Sequence, residues 1–223
     1  MTARIENALV NTQISTPCLV LDREQVSKNY QNFCKKFNRF DIFYAVKANP
    51  HPDILALLAA EGAYFDCASF HEITLALAAG SPPSNISFGS TLKKAGDIAS
   101  AYNVGVRHFT FDAREELQKI VDYAPGSQVC CRILTNELGS SAQWPLNRKF
   151  GCDENMAVDL MVSAAGLGLV PSGISFHVGS QQTEPAAWQG PMAQLNRIFK
   201  KLASHGIELE TINIGGGFPT AFG

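Results

Sequence analysis

Residues 41–50 read DIFYAVKANP, an apolar run that ends in a turn signal at Asn49-Pro50. Such a run is typical of a strand in a parallel sheet that is covered on both faces. Lys47 interrupts it near its end, where an ammonium group must be paired, neutralised or used in chemistry. Burial lowers the pKa of a lysine and makes its amine a nucleophile toward an aldehyde. The alternative is a strand-end lysine that extends into solvent, and this segment alone leaves both interpretations open.

Short apolar runs alternate with longer segments of helical period along the chain, which predicts repeated βα units around a parallel sheet. The predicted strands are Phe43 to Lys47, Tyr64 to Ala68, Ile86 to Gly89, Phe109 to Asp112, Val129 to Ile133, Gly173 to Val178 and Thr211 to Ile214. The predicted helices include Pro52 to Glu61, His71 to Ala79, Ala113 to Ala124 and Met192 to His205, with Gly206 as a C-terminal cap.

A separate early strand is predicted at Cys18 to Leu21, before a helix for which Asp22 is a natural N-cap. This strand could join the same sheet or belong elsewhere. The other seven units fall one short of the eight that close a βα barrel, a fold in which the chemistry gathers at the carboxyl ends of the strands. Polar or glycine residues mark those ends here: Lys47, Asp66, Ser69, Ser90, Arg132, His177, Ser180 and Gly215, Gly216 and Gly217.

The run Gly215-Gly216-Gly217 follows an apolar strand, and successive glycines let several backbone amides approach one anion. A phosphate cradle is therefore one interpretation, and a tight turn is the other. The spacing matches neither a Walker loop nor the dinucleotide Gly-x-Gly-x-x-Gly pattern. His177, at the end of another strand, could be a hydrogen-bonded core residue or a flat ring that stacks on an aromatic cofactor, with Ser180 beside it as a phosphate donor.

The composition narrows the function classes. With 223 residues, 46% of them hydrophobic, the chain can form one large domain or most of one. Eighteen basic and twenty acidic residues give a net charge of -2, so we expect a small-molecule partner and neither nucleic acid nor a membrane surface. We find no signal peptide and expect a cytoplasmic protein. The six cysteines contain no Cys-x-x-Cys pair, which disfavours a zinc site, and we interpret Cys67, Cys130 and Cys131 as core residues.

Five motifs in order then resemble one family. They are residues 44–50 (YAVKANP), 65–69 (FDCAS), 148–151 (RKFG), 176–181 (FHVGSQ) and 215–219 (GGGFP). Together they resemble the pyridoxal-phosphate-dependent decarboxylases of the alanine-racemase-like fold, most closely the ornithine and bacterial lysine/ornithine enzymes. Diaminopimelate decarboxylases are similar, but residues 144–151 (WPLNRKFG) and the Phe218-Pro219 ending look more like the ornithine branch.

The resemblance implies a role for each matching residue. Lys47 would hold pyridoxal 5'-phosphate as a Schiff base, His177 would stack on its ring, and Ser180 with the three glycines would bind its phosphate. Asp66 and Arg132 match polar positions close to the cofactor, and Ser69 and Glu72 match positions behind them. Lys149 matches a residue at the interface of a homodimer. The implied reaction is decarboxylation of a basic amino acid, with L-ornithine to putrescine, a polyamine-forming step, ahead of L-lysine and diaminopimelate.

The same resemblance implies a (β/α)8 TIM-type barrel of which this chain lacks the eighth strand and the C-terminal β domain. Residues 1–24 would be the strand segment that packs with that β domain, and residues 25–223 would be the incomplete cofactor-binding barrel. The family's glutamate for the pyridine nitrogen has no counterpart in residues 218–223, so we expect the chain alone to be inactive or nearly so. Two alternatives of another class stay open: a non-catalytic regulatory homologue, as antizyme inhibitors are, and a single-domain pyridoxal-phosphate carrier.

Overall fold

The structure is a computed structural model that describes residues 3–135 and 149–220. The described residues form seven strands: β1 Phe43–Ala45, β2 Tyr64–Cys67, β3 Ile86–Phe88, β4 His108–Phe111, β5 Gln128–Arg132, β6 Val170–Ser175 and β7 Thr211–Asn213. The α-helices in this part of the chain are α1 Ala3–Asn11, α2 Arg23–Lys36, α3 Pro52–Ala60, α4 Phe70–Ala78, α5 Ala95–Asn103, α6 Arg114–Tyr123, α7 Glu154–Gly166 and α8 Gln189–Ser204.

All seven strands lie in one parallel sheet whose spatial order is the chain order, β1 to β7. The sheet curls into part of a barrel, which confirms the barrel-type fold that the resemblance implies. Each of the seven predicted strands is confirmed, although the observed ends differ by up to three residues. The predicted caps are confirmed as well. Asp22 accepts a hydrogen bond from the Gln25 amide at 3.2 Å at the start of α2, and Gly206 follows α8 with φ of 74°.

Side chains alternate between the two faces of each strand, and the two faces differ in character. The face toward the helices is apolar and buried, with Phe65, Phe88, Phe109, Val129 and Ile174 at its centre. The other, concave face carries Asp66, Ser87, Thr110, Cys130 and Arg132 at the alternate positions. The hydrophobic core therefore lies between sheet and helices, and the concave face is left for polar groups.

The structure contains no strand at Cys18 to Leu21, so the possibility that this run joins the sheet is wrong. Residues 12–22 contain no strand, and Leu19 is 84% exposed. An apolar run becomes a strand only where a neighbouring strand can take its backbone hydrogen bonds, and none of the strands within residues 3–135 and 149–220 pairs with it. Helix α1, which precedes this segment, was not predicted. That residues 1–24 pack with a further domain stays a prediction.

The cysteine interpretation is confirmed in part. Cys67 and Cys131 are buried, as is Cys152. Cys130 is only half-buried, because its strand position faces the concave surface and not the helices. In the ranges 3–135 and 149–220, no helix is long and apolar enough to cross a membrane.

Candidate functional site

Parallel strands bring their carboxyl ends to one edge of the sheet, and the predicted polar residues meet there. Asp66 on β2 and Arg132 on β5 come close enough for each charge to shift the pKa of the other. The charge of Lys47 acts on both Asp66 and His177, and that of Arg132 acts on His177. The structure thus brings four of the predicted residues into one electrostatic cluster.

Lys47 does not lie in a buried strand, as one interpretation of its sequence context had it. Strand β1 ends at Ala45, and Lys47 is an exposed residue of a short 3-10 turn, Val46–Ala48. The Tyr44 hydroxyl spans this turn by donating to the Asn49 carbonyl at 3.3 Å. The Asn49 side chain in turn accepts from the His51 amide at 3.1 Å, just before α3 begins. The turn is therefore fixed on both sides while the amine of Lys47 stays accessible.

Asp66 is the carboxylate of the cluster. Burial raises its pKa to about 6; Glu72 adds to this rise, whereas Lys47 and Arg132 oppose it. The carboxylate lies directly against the backbone of Gly89, where any larger residue would place its Cβ on the oxygen Oδ1. Asp66 is thus held against Gly89, with a pKa at which it can exchange a proton near neutral pH.

His177 is neutral in this environment, because burial and the positive charges of Arg132 and Lys47 lower its pKa to about 4. Its Nδ1 accepts a hydrogen bond from the Gly216 amide at 3.2 Å, so the remaining ring proton is on Nε2. The imidazole therefore lies against the glycine run, as a stacking residue beside a phosphate loop would.

The glycine run packs tightly on the segment that follows β6. Gly215 and Gly217 have φ of 69° and 93°, and a Cβ on either would overlap the carbonyl oxygen of Phe176 or of Gly179. Gly216 is different: its Cβ would lie 3.7 Å from His177 Cε1, an ordinary contact. Two of the three glycines are therefore required by the backbone itself. Ser180, half-buried, follows Gly179 on this same segment.

Arg132 is positioned by two groups that were not predicted. Its guanidinium lies 5.4 Å from the centre of the Phe150 ring. Burial lowers the pKa of Arg132, and the negative charge of Asp112 opposes this shift. Asp112 Oδ2 also accepts the Gly151 amide at 2.7 Å and so fixes the chain beside Phe150. The signal for Asp112 was present in the sequence, since it directly follows an apolar strand.

The remaining predicted residues have local roles. Ser69 Oγ accepts the Glu72 amide at 3.2 Å and Glu72 Oε2 accepts the Ala68 amide at 2.7 Å, so the pair caps the start of α4. Ser90 Oγ donates to the Leu92 carbonyl at 2.8 Å. Lys149 Nζ lies 5.4 Å from the Phe150 ring centre, and its place at a dimer interface stays a prediction. Residues 144–148, part of the motif comparison, lie outside the described residues.

The buried lysine of this chain is Lys93, which was not predicted. Its side chain is fully buried, with Nζ 2.9 Å from Glu116 Oε1 and hydrogen bonds to the carbonyls of Ser90 and Thr110 at 2.8 and 2.5 Å. Burial lowers the pKa of Lys93 to about 8, although Glu116 acts in the opposite direction. Lys119 contacts the other Glu116 oxygen at 2.6 Å. This amine is fully engaged and faces no open surface.

Two curated proteins illustrate what this chain is similar to. The curated lysine/ornithine decarboxylase of Selenomonas ruminantium is 38% identical over 207 residues, which are 93% of this chain and 52% of that protein. The antizyme inhibitor 2 of Xenopus laevis is 34% identical over 215 residues, 96% of this chain and 47% of that protein. The chain thus spans about half the length of the curated relatives it matches.

Two solved structures have the same fold. Lysine decarboxylase from Selenomonas ruminantium matches with a TM-score of 0.90 and 36% identity over 99% of this chain and 57% of that one. The arginine decarboxylase of Paramecium bursaria Chlorella virus, bound to agmatine, matches with a TM-score of 0.90 and 31% identity over 97% and 59%. Residues 23–223 match the family described as "Pyridoxal-dependent decarboxylase, pyridoxal binding domain". The chain belongs to this family of pyridoxal-dependent decarboxylases and carries its pyridoxal-binding domain.

Proposed function

We propose that this domain holds pyridoxal 5'-phosphate through Lys47 for the decarboxylation of a basic amino acid, with L-ornithine as the first candidate. The observation that carries the proposal is the convergence of an accessible lysine, a neutral histidine and a glycine loop at one edge of the sheet. Asp66 and Arg132 complete this cluster with a carboxylate and a guanidinium.

The residues fit the cofactor by their chemistry. Lys47 supplies an amine to an aldehyde, and it stands exposed on a turn that Tyr44 and Asn49 hold in place. His177 offers a flat uncharged ring, which can lie against a pyridine ring without bringing a positive charge to it. The glycine run would supply backbone donors for a phosphate, together with the Ser180 hydroxyl. The Gly215 and Gly216 amides donate to Asn213 Oδ1 and His177 Nδ1 in the structure, and they would exchange these acceptors for phosphate oxygens.

Bound pyridoxal phosphate supplies a conjugated ring that accepts the electrons released when carbon dioxide leaves. The chain's own task is orientation, because the bond that breaks must stand perpendicular to that ring. His177 would lie against one face of the ring and the loop at residues 215–217 would hold the phosphate end, which would restrict rotation of the ring. Asp66, with a pKa of about 6, holds a negative charge beneath the site at neutral pH, next to the positive charges of Lys47 and Arg132.

The substrate follows from the relatives by analogy. Their names cover lysine, ornithine and arginine, so a basic amino acid is the shared feature. Ornithine and lysine differ by one methylene, a difference worth only about 1 to 3 kcal/mol in a pocket. We rank ornithine first, and putrescine as its product, on the motifs at residues 144–151 and 218–219. A homodimer, a role in polyamine biosynthesis and a cytoplasmic location stay predictions.

A regulatory function is the second candidate, because one relative is named as an antizyme inhibitor. A homologue that only binds a regulatory partner would be free to lose the cofactor groups. This chain keeps Lys47, His177 and the three glycines together. Their retention favours a cofactor-dependent enzyme.

Reduction with borohydride tests the proposal directly. The full chain is incubated with pyridoxal phosphate, reduced, digested and mapped by mass spectrometry. We expect the adduct on Lys47, because its amine is the accessible one beside His177. Lys47→Arg should lose the label, whereas Lys94→Arg, on the solvent side of the start of α5, should keep it. A label on Lys93 or on another lysine would overturn the assignment.

A further inference from the structure

We propose that Phe218 is a positioning residue for the phosphate end of the cofactor, because it anchors the glycine loop to an aromatic cluster built by α2. This inference rests on the proposed function and extends it to residues that do not touch the cofactor. The aromatic cluster comprises Phe33, Phe37, Trp188 and Phe218.

Three elements far apart in sequence meet in this cluster. The Phe218 ring centre lies 5.3 Å from that of Phe33 and 5.3 Å from that of Phe37, both edge-on, on the last turn and C-cap of α2. On its other side the Trp188 ring is stacked at 5.6 Å with an angle of 23° between the planes. Such arrangements are the favourable ones for aromatic pairs. Phe218 is therefore clamped between α2 and the turn that precedes α8.

The loop is held at its other side by hydrogen bonds from Gln181 and Gln182. The Gln182 amide donates to the Gly217 carbonyl at 2.8 Å. The Gln181 side chain pairs with the backbone of Thr220 in both directions, at 2.9 and 3.0 Å. Gly217 is thus held on one side by the hydrogen bond from Gln182 and on the other by Phe218, whose ring lies in the aromatic cluster.

A run of three glycines has little conformational preference of its own, so its shape must come from its surroundings. An anion site made of successive amides works only if those amides are already oriented, since ordering them on binding costs free energy. Ile214 and Phe218 flank the run. Of these two, Phe218 has an aromatic side chain, and it anchors the loop to the cluster. Removing its ring releases the phosphate end of the site but leaves Lys47 and His177 in place.

This predicts a selective effect. Phe218→Ala should weaken the affinity for pyridoxal phosphate by about tenfold, because the loop must then be ordered at binding. Its affinity for pyridoxal, which lacks the phosphate, should change by less than about twofold on the same reasoning. Both affinities are measured by ultrafiltration on the full chain. A loss of structure would instead weaken the binding of both ligands equally. The ratio of the dissociation constant for pyridoxal to that for pyridoxal phosphate therefore reports positioning and not folding.

Three variants control the experiment. Phe218→Tyr keeps the ring and should restore the ratio. Phe40→Ala removes a ring that contacts Phe37 at 5.8 Å and should leave both affinities unchanged. If Phe218→Ala does not fold, Phe33→Leu replaces it. This variant removes one edge contact between α2 and Phe218, and it should lower the ratio as Phe218→Ala would.

The outcomes separate the two proposals. A wild-type chain that binds pyridoxal phosphate no better than pyridoxal would overturn the phosphate cradle and, with it, the role of Phe218. A wild-type chain that prefers the phosphate, with Phe218→Ala showing an unchanged ratio, would overturn the role of Phe218 alone.

Discussion

Lys47 and Lys93 both follow a strand of the same sheet, yet their surroundings are opposite. Lys47 stands exposed on the turn after β1, above a concave face that carries Asp66 and Arg132. Lys93, after β3, is fully buried and is paired with Glu116 and with two backbone carbonyls. Burial and accessibility therefore separate the two lysines: Lys93 is engaged inside the protein, and Lys47 is the accessible lysine that we propose for the cofactor.

The difference shows what a perturbed lysine does and does not indicate. Burial lowers the pKa of Lys93, but all of its donors are directed at partners inside the protein. A nucleophile needs a path to its substrate as well as a suitable pKa. Lys47 has such a path because its side chain is exposed, and the charged groups of Asp66 and Arg132 lie near it on the concave face. Three predictions test this comparison.

The largest expected effect is on stability. Lys93→Met leaves Glu116 buried with Lys119 as its remaining ionic partner, and removal of one member of a buried pair costs about 3 to 5 kcal/mol. Lys47→Met should change the free energy of unfolding by no more than about 0.5 kcal/mol, as is usual for an exposed residue. Denaturant titration measures both. The double variant Lys93→Met/Glu116→Leu should recover most of the loss, and equal losses at the two lysines would end the comparison.

The second effect is in the glycine loop beside Lys47. Gly217→Ala should cost about 1 to 3 kcal/mol, because φ of 93° is strained for alanine and its Cβ would meet the Gly179 carbonyl. Gly216→Ala is the matched control, since its Cβ meets only His177 Cε1 at 3.7 Å. We expect this variant to keep wild-type stability, as followed by thermal unfolding. Equal destabilisation by both would show that the loop is not held as described.

The smallest expected effect is the pH dependence of the wild-type protein's stability. The pKa of Asp66 is raised to about 6, so the folded state binds its proton more tightly and stability falls as pH rises from about 4 to about 6. The pKa of His177 is lowered to about 4, so stability rises over about 4 to 6.5. The two slopes oppose each other, each at most about 1.4 kcal/mol per pH unit.

The variants separate these two slopes. Relative to the wild type, Asp66→Asn should lose stability on acidification below about pH 6.5, because the His177 contribution then stands alone. His177→Gln should gain stability on acidification through about pH 6 for the converse reason. Unfolding measured across this range checks both signs. Parallel curves for all three proteins would show that neither group is shifted.

Much of the fold could be predicted because its signal is local. Each of the seven strands is an apolar run. Asp22 caps the start of α2 through its side chain and Gly206 follows the end of α8 through its backbone conformation, and neither needs a distant partner. Cys18 to Leu21 does not join the sheet, because an apolar pattern is local whereas strand pairing is not. Helix α1 was missed although its residues could form it.

The site shows the same division. Lys47, Asp66, Arg132 and His177 were identified because strand ends of a parallel sheet must share an edge. Asp112 could have been identified in the same way. Lys93 could not, since its pairing with Glu116 joins residues 23 positions apart, one in the loop after β3 and the other on α6. Nor could the contact of Phe218 with Phe33 and Phe37, which lie more than a hundred residues earlier.

The sequence by itself determined the order of strands, the residues at their ends and the family to which the chain belongs. Those features depend on hydrophobic period, on turn chemistry and on motifs that are contiguous in the chain. Only the tertiary structure decided which lysine is buried, which face of the sheet is polar and what holds the glycine loop. Burial, charge and ring contacts depend on residues that the sequence separates and the fold brings together.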